Sequence, residues 1–294
     1  MRSFVLSLLI VFAVILLTSC SSRQLGYRYA ETLVSWQAGN YVSLNDAQDA
    51  LLREETEQFL QWHAQTHMPK YHQLLTEASQ LLHAPELTTD ILIEKQEIIA
   101  NYWYEIRLQL IAPSVRLLKT LDDDQVAELI ENLQARLEKQ QDRLEESEME
   151  IAGGNENYPQ QRRADRFMDS FRSYAGKPND EQTQRIMDWS MQAPIVNKQW
   201  YRYQQQWHEA FVRILENRHD DNFSQVLQDL YLEPEQFRGA DMNAQLEITE
   251  EASLALMVAL HESLSIQQRS KLARRIDKLR RDIRGMMKQR NVEF

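Results

Sequence analysis

The stretch Leu121-Asp122-Asp123-Asp124-Gln125-Val126-Ala127-Glu128-Leu129-Ile130-Glu131-Asn132-Leu133 decides the fold. Its first five residues are a helix start. A short polar side chain accepts a hydrogen bond from a free N–H of the first turn, and a glutamine three residues later reaches back to the cap. Leu121 can pack as a hydrophobic staple, and the acidic residues suit the positive end of the helix dipole. Behind this start, Val126, Leu129, Ile130, Leu133, Leu137 and Leu144 recur at helical spacing and line one face. The spacing predicts a helix ending near Ile151, where Ala152-Gly153-Gly154-Asn155 stops it.

The same start recurs along the chain. Leu44-Asn45-Asp46-Ala47-Gln48 and Leu264-Ser265-Ile266-Gln267-Gln268 repeat it, while Pro178-Asn179-Asp180-Glu181-Gln182 and Leu232-Glu233-Pro234-Glu235-Gln236 are weaker copies. Two further apolar stripes have helical period: Trp200, Tyr203, Trp207, Phe211 and Leu215, and Leu272, Ile276, Leu279, Ile283 and Met286. With only seven Gly and seven Pro in 294 residues, and almost no strand-like alternation, the composition is that of an all-α protein. The expected architecture is an elongated helical bundle with two related halves, residues 20–152 and 178–294. Between them, 153–177 reads as a linker and short helix. Each half holds a long capped helix, a middle helical region and a closing helix that begins Leu-x-x-x-Gln.

Residues 1–19 read as a signal peptide. Met1 and Arg2 give a positive start, and Phe4 to Leu17 is apolar apart from Ser7. That run falls short of the roughly 20 residues a spanning helix needs. Leu17-Thr18-Ser19-Cys20 resembles the lipobox of bacterial lipoproteins: a large apolar residue, two small ones, then the cysteine that takes a diacylglyceryl thioether. Cys20 is the only cysteine in the chain, so no disulfide can form within it. The resemblance implies cleavage before Cys20, acylation with palmitate-type chains and anchoring by lipid. By the rule of that class, Ser21 in place of Asp implies the outer membrane, with the body facing the periplasm.

Two further resemblances bear on the body. Tyr27, Tyr29, Leu33 and Trp36, then Tyr41, Val42, Leu44 and Gln48, then Trp62, His63, Thr66, Pro69 and Tyr71 resemble the motifs of an uncharacterised bacterial lipoprotein family. Arg28 and Asn45 depart from it where Asn and Thr are usual. That family implies a location and a fold class but no reaction. More weakly, Leu264 to Gln268 and Leu121 to Gln125 are similar to the Leu-Thr-x-x-Gln repeats of periplasmic stress chaperones of the CpxP and Spy type, which hold unfolded clients. Capping alone accounts for the same five residues.

No residues nominate an enzyme. His63 and His67 stand four apart with His72 nearby, but no Glu follows His63 as in His-Glu-x-x-His, and Pro69 bends the segment; these read as surface or capping histidines. The chain has no Gly-x-Ser-x-Gly elbow and no phosphate-binding glycine loop. Neither a metal site nor a cofactor is expected. The net charge of −11 argues against nucleic acid. Tyr102, Trp103, Trp200, Tyr201 and Trp207 are candidates for lining a groove, although all but Tyr201 also fit a packed core. The sharpest feature is the last helix, where Gln268 to Arg290 carries ten Lys or Arg against Asp277 and Asp282. Lys271, Arg274, Arg275, Lys278 and Arg281 are its candidate contacts to lipid or a partner. Docking against the acidic body is the simplest use. The expected function is a non-enzymatic binding or chaperone-like module, with a structural or assembly role in an envelope complex as the alternative and an enzyme of unidentified chemistry third. Its expected partners are the membrane, through the N-terminal lipid, and an envelope protein or unfolded client.

Overall fold

The computed structural model describes residues 20–293; the signal segment, with Leu17, Thr18 and Ser19, lies outside the described residues. The elements are α1 (Cys20–Arg28), α2 (Ala30–Ala38), α3 (Asp46–Thr66), α4 (Met68–His83), α5 (Thr89–Leu118), α6 (Asp123–Ala152), α7 (Tyr158–Tyr174), α8 (Asp180–Gln192), α9 (Asn197–Glu216), α10 (Phe223–Leu232), a 3₁₀ turn (Pro234–Phe237), α11 (Ala240–Ser263) and α12 (Ile266–Gln289). No strand occurs among the described residues, and the helices form an elongated all-α bundle.

Four of the five expected starts are reciprocal capping boxes. Asn45, Asp122, Asn179 and Ser265 each accept from the N–H of the glutamine three residues on, and that glutamine accepts from the cap N–H in return. The fifth differs. Glu233 makes no side-chain cap and opens only the 3₁₀ turn, because a glutamate is too long for the short-range bond that Asn, Asp or Ser can make.

The capping glutamines also pair with each other. Gln48 Nε2 donates to Gln125 Oε1 (2.8 Å) and to the Thr120 carbonyl (2.8 Å). Gln125 Nε2 donates to Gln48 Oε1 (2.6 Å) and to the Ser43 carbonyl (2.8 Å). Each Oε1 meanwhile accepts from its own cap, Asn45 N–H at 2.9 Å and Asp122 N–H at 3.1 Å. Both donors and the oxygen of each amide are therefore satisfied in a buried place. The arrangement recurs in the second half. Gln182 and Gln268 exchange bonds of 3.0 and 2.9 Å, and their second donors reach Ser263 O (3.0 Å) and Lys177 O (3.2 Å). In all four cases the accepting carbonyl lies two residues before the partner's cap. The two halves share this device residue for residue.

The halves are not separate bodies. One core cluster joins Val42, Leu118, Leu121, Val126 and Leu129 to Phe211, Leu215, Phe223, Leu227 and Leu230. α10 lies along α5, and α12, the closing helix of the second half, packs most extensively on α4 of the first. The 153–177 segment is correspondingly more than a linker and short helix. It contains the 17-residue α7, whose Ala164 is buried with Ile186, Leu256 and Leu260.

Truncating one clasp glutamine strands its partner's amide in the core, and an unsatisfied buried polar group costs about 1–3 kcal/mol. Gln125→Ala is expected to lower the unfolding free energy by about 2–4 kcal/mol in urea titrations. Adding Gln48→Ala should cost less than a second independent loss, leaving a coupling of about 1 kcal/mol or more in the double-mutant cycle. Strict additivity would show that the paired amides do not act together.

Candidate functional site

Of the residues that carry the lipoprotein-family resemblance, Tyr27 and the motif Trp62, His63, Thr66, Pro69 and Tyr71 meet at one place, the joint between α3 and α4. His67 closes α3 and opens α4, with Pro69 in the first turn of α4, where its missing N–H costs nothing. His63 and His67 keep their common side across the joint and stack with ring centroids 5.8 Å apart, 12° from parallel. Around them stand Phe59 and Trp62 from α3, Tyr71 from α4, Tyr102 from α5 and Tyr27 from α1. The Tyr27 hydroxyl donates to the Leu60 carbonyl (2.8 Å) and lies 3.5 Å from His63 Nδ1. His63 Nε2 lies 3.3 Å from the Tyr71 hydroxyl. Since Tyr27 spends its one proton on Leu60, the geometry fits a His63 protonated on Nδ1 that accepts from Tyr71 at Nε2.

Burial governs the electrostatics of this cluster. Desolvation, with His67 adding to it, lowers the His63 pKa to about 4. Desolvation also raises Tyr27 to about 12 and pushes Tyr71 up further. All three are neutral near pH 7, and so is His67, lowered chiefly by its own burial. His67 Nε2 sits 3.2 Å from a Glu105 oxygen without hydrogen-bond alignment, and Glu105 is itself held by Lys70. The cluster contains no cysteine or serine, and its one carboxylate is engaged. It is a neutral joint that ties α1, α3, α4 and α5 together. The expectation of surface or capping histidines is thus wrong in part: His67 and His72 are buried. Helical spacing showed that His63 and His67 share a face, but not that α1 and α5 would cover it.

The five candidate aromatics do not gather into one groove. Tyr102 belongs to the histidine joint. Trp200 meets Tyr203 edge to face at 5.3 Å, and the two rings enclose the buried Arg238 guanidinium. Trp207 stacks on Phe211 at 5.4 Å and packs on the main core. Trp103 is half-buried on α5. Tyr201, off the stripe, donates to Gln141 Oε1 (2.9 Å) and holds α9 to α6. A different concavity is present, an open cleft of about 430 Å³ between α9 and α10. Its apolar residues are Ile214, Val226, Leu230 and Phe237, and its polar ones include Arg213 and Asp229.

The basic helix divides its charges between two uses. Lys271 and Arg275 donate to the Arg172 and Ser173 carbonyls (3.0 Å each) at the C-terminus of α7, where cations complement the helix dipole. Arg269 likewise donates to the carbonyls of Leu82 and His261. Arg290 pairs with Glu57 and lies over the Tyr27 ring. Docking therefore rests on helix-end carbonyls and on the buried Ile283 and Met287, more than on attraction to acidic side chains. The other side of α12 is free: Arg274, Arg281, Arg284 and Lys288 are exposed. Arg274 reaches only Ser270 of its own helix (2.6 Å), and Lys278, half-buried, has no side-chain partner among the described residues.

α1 is bolted across α12. The Asp282 carboxylate, 1% exposed, accepts from Arg23 (2.9 Å) and Gln24 (3.3 Å). The approach is close: a Cβ at Gly285 would lie 2.7 Å from the Gln24 amide, so a larger residue there would displace the end of that side chain from Asp282. Among the described residues, no cluster of three or more His, Cys, Asp or Glu is arranged to hold a metal ion. No helix among them is long and apolar enough to cross a membrane.

The all-α frame, pinned by two pairs of capping glutamines, defines a helical module. The chain belongs to the family of unknown function DUF6279, whose model matches residues 40–242. Neither a curated protein nor a solved structure matches it. The matched region takes in the first glutamine clasp and the histidine joint apart from Tyr27.

The His63 shift has a sign that can be tested. Its folded pKa lies below the ordinary 6.5, so its contribution is full above pH 6.5 and is lost as the pH falls towards 4. Between pH 7 and 5 the protein should lose roughly 2 kcal/mol through this residue, with His67 and His72 adding in the same direction. His63→Gln should flatten the slope of stability against pH in that window. An unchanged slope would mean that the joint does not exclude the proton.

Proposed function

We propose that this protein is a lipid-anchored component of the bacterial envelope, attached through Cys20 to the outer membrane with its helical body in the periplasm. The body serves as a non-enzymatic binding module. The observation that carries the reading is the position of the single cysteine, where a 14-residue apolar run gives way to the first amphipathic residues. A thioether-linked diacylglycerol there would hold the chain durably, because each buried methylene contributes about 0.8 kcal/mol. The cleft between α9 and α10, with an apolar floor and charged edges, supplies a surface for a partner segment.

Two partner classes remain within this reading. The likeness to CpxP and Spy type chaperones favours unfolded clients, but the Leu-x-x-x-Gln motifs behind it are occupied here as caps and clasps. A dedicated envelope partner is the alternative, favoured by the free cationic side of α12.

Cys20→Ser is expected to leave an uncleaved precursor without acyl chains, seen as loss of metabolic palmitate label and a higher mass. Maturation and outer-membrane fractionation of that variant would remove the proposal. Crosslinking in intact cells then separates the partner classes. A diffuse set of unfolded proteins supports client binding, and one dominant protein lost on Arg274→Glu supports a dedicated partner. Cutting the chain before Gln268 is a poor substitute, because it removes half of the second clasp and the buried Ile283 and Met287.

A further inference from the structure

α1 and α2 present an apolar stripe to solvent that the rest of the bundle leaves bare. Leu25, Tyr29, Leu33 and Trp36 fall at helical spacing across the two short helices, and they are 47, 54, 50 and 68% exposed. The opposite side of the same segment is engaged: Arg23 and Gln24 with Asp282, Tyr27 with Leu60, Ser35 with Asp49. No residue of α2 is buried. The bare side is therefore the outer side of a segment whose inner side is firmly seated.

Three observations together select the occupant of this stripe. Its residue types come first: Leu with Tyr and Trp is the mixture that settles at the boundary between acyl chains and headgroups, where an amphipathic ring keeps its polar edge wet. Charge comes second. Arg28 adjoins the stripe on α1, and with Gln289, Arg290 and Glu57 it lines a cleft of about 440 Å³ where α1 meets the end of α12. Beyond that cleft run the exposed Arg281, Arg284 and Lys288 of α12, of which Arg284 also acts on the His72 ring. The third is the chain's own order, since the apolar run Phe4–Leu17 and Cys20 immediately precede the stripe.

We infer that the outer side of α1–α2, flanked by the cationic side of α12, is a membrane-docking surface for a bilayer rich in anionic phosphate headgroups. Leu25, Tyr29, Leu33 and Trp36 enter the boundary layer, while Arg28, Arg281, Arg284 and Lys288 meet phosphates. Docking holds the body against the bilayer instead of leaving it free on a lipid tether. The inference deepens the proposed anchoring at Cys20 and can be tested apart from it.

The test uses the full-length protein with vesicles containing 30 mol% phosphatidylglycerol and brominated acyl chains, with the mass of the chain recording whether Cys20 is acylated. Bromine quenches tryptophan only at close range within the acyl region, and Trp36→Phe isolates the contribution of Trp36. The expected result is quenching in the parent protein that is absent from Trp36→Phe. That component should fall at least twofold in Arg281→Glu/Arg284→Glu/Lys288→Glu, or when phosphatidylglycerol is replaced by phosphatidylcholine. All four substituted positions are exposed, so the variants should fold as the parent does. Equal quenching in parent and Trp36→Phe on vesicle-bound, acylated protein overturns this inference and leaves the anchor standing. Trp36 quenching in a chain whose Cys20 carries no lipid supports the docking surface and overturns the anchor. A Trp36 emission shifted to the blue without lipid, and insensitive to bromine, would assign the stripe to a second copy of the chain and also overturn the inference.

Discussion

The amide pairs Gln48–Gln125 and Gln182–Gln268 are the constraint on which the frame depends. Each pair brings two helix starts that are far apart in sequence to one point, with every amide donor and oxygen used. A buried polar pair of this kind contributes little net free energy compared with an apolar core, since its bonds replace bonds to water. It contributes specificity: a register shift at either helix leaves several polar groups unsatisfied at once. The long amphipathic helices, which would slide on apolar contacts alone, are thereby pinned at their origins. The first clasp joins α3 to α6, and the second joins α8 to α12.

Much of the fold was legible because capping and periodicity act locally. Asn45, Asp122, Asn179 and Ser265 announce their helices within five residues, and the apolar stripes of α6, α9 and α12 show which faces turn inward. What stayed hidden was long-range. Nothing near Gln48 indicates that its amide meets Gln125, because a glutamine reaching back to its own cap already explains the pattern. His67 looked superficial for a similar reason, since its cover comes from Tyr102 on α5. The apolar spacing on α12 predicted a packed face, but not that the carbonyl ends of α7 would take up Lys271 and Arg275.

The candidate site follows the same division. The motif Trp62, His63, Thr66, Pro69, Tyr71 marked a place where residues gather, and the structure gives it a physical content: a helix joint kept neutral by burial. Trp36 stood in the first motif without a role. Its exposure, and that of Tyr29 and Leu33, depends on α3 covering only one side of α2, which a single stripe of sequence does not reveal.

The Arg23–Asp282 pair also imposes an order in time. The two residues are separated by 259 positions, so Arg23 and Gln24 lack their carboxylate until nearly the whole polypeptide has emerged, although Tyr27 can meet Leu60 and His63 much earlier. During synthesis α1 is therefore held from one side, by α3, while the intervening helices form. Folding of the body can proceed around the first clasp in the meantime, since Ser43 to Gln125 is delivered early. Closure of α12 over α4 and against α1 then completes the bundle. A chain arrested or clipped before Asp282 would leave Arg23 and Gln24 without their acceptor.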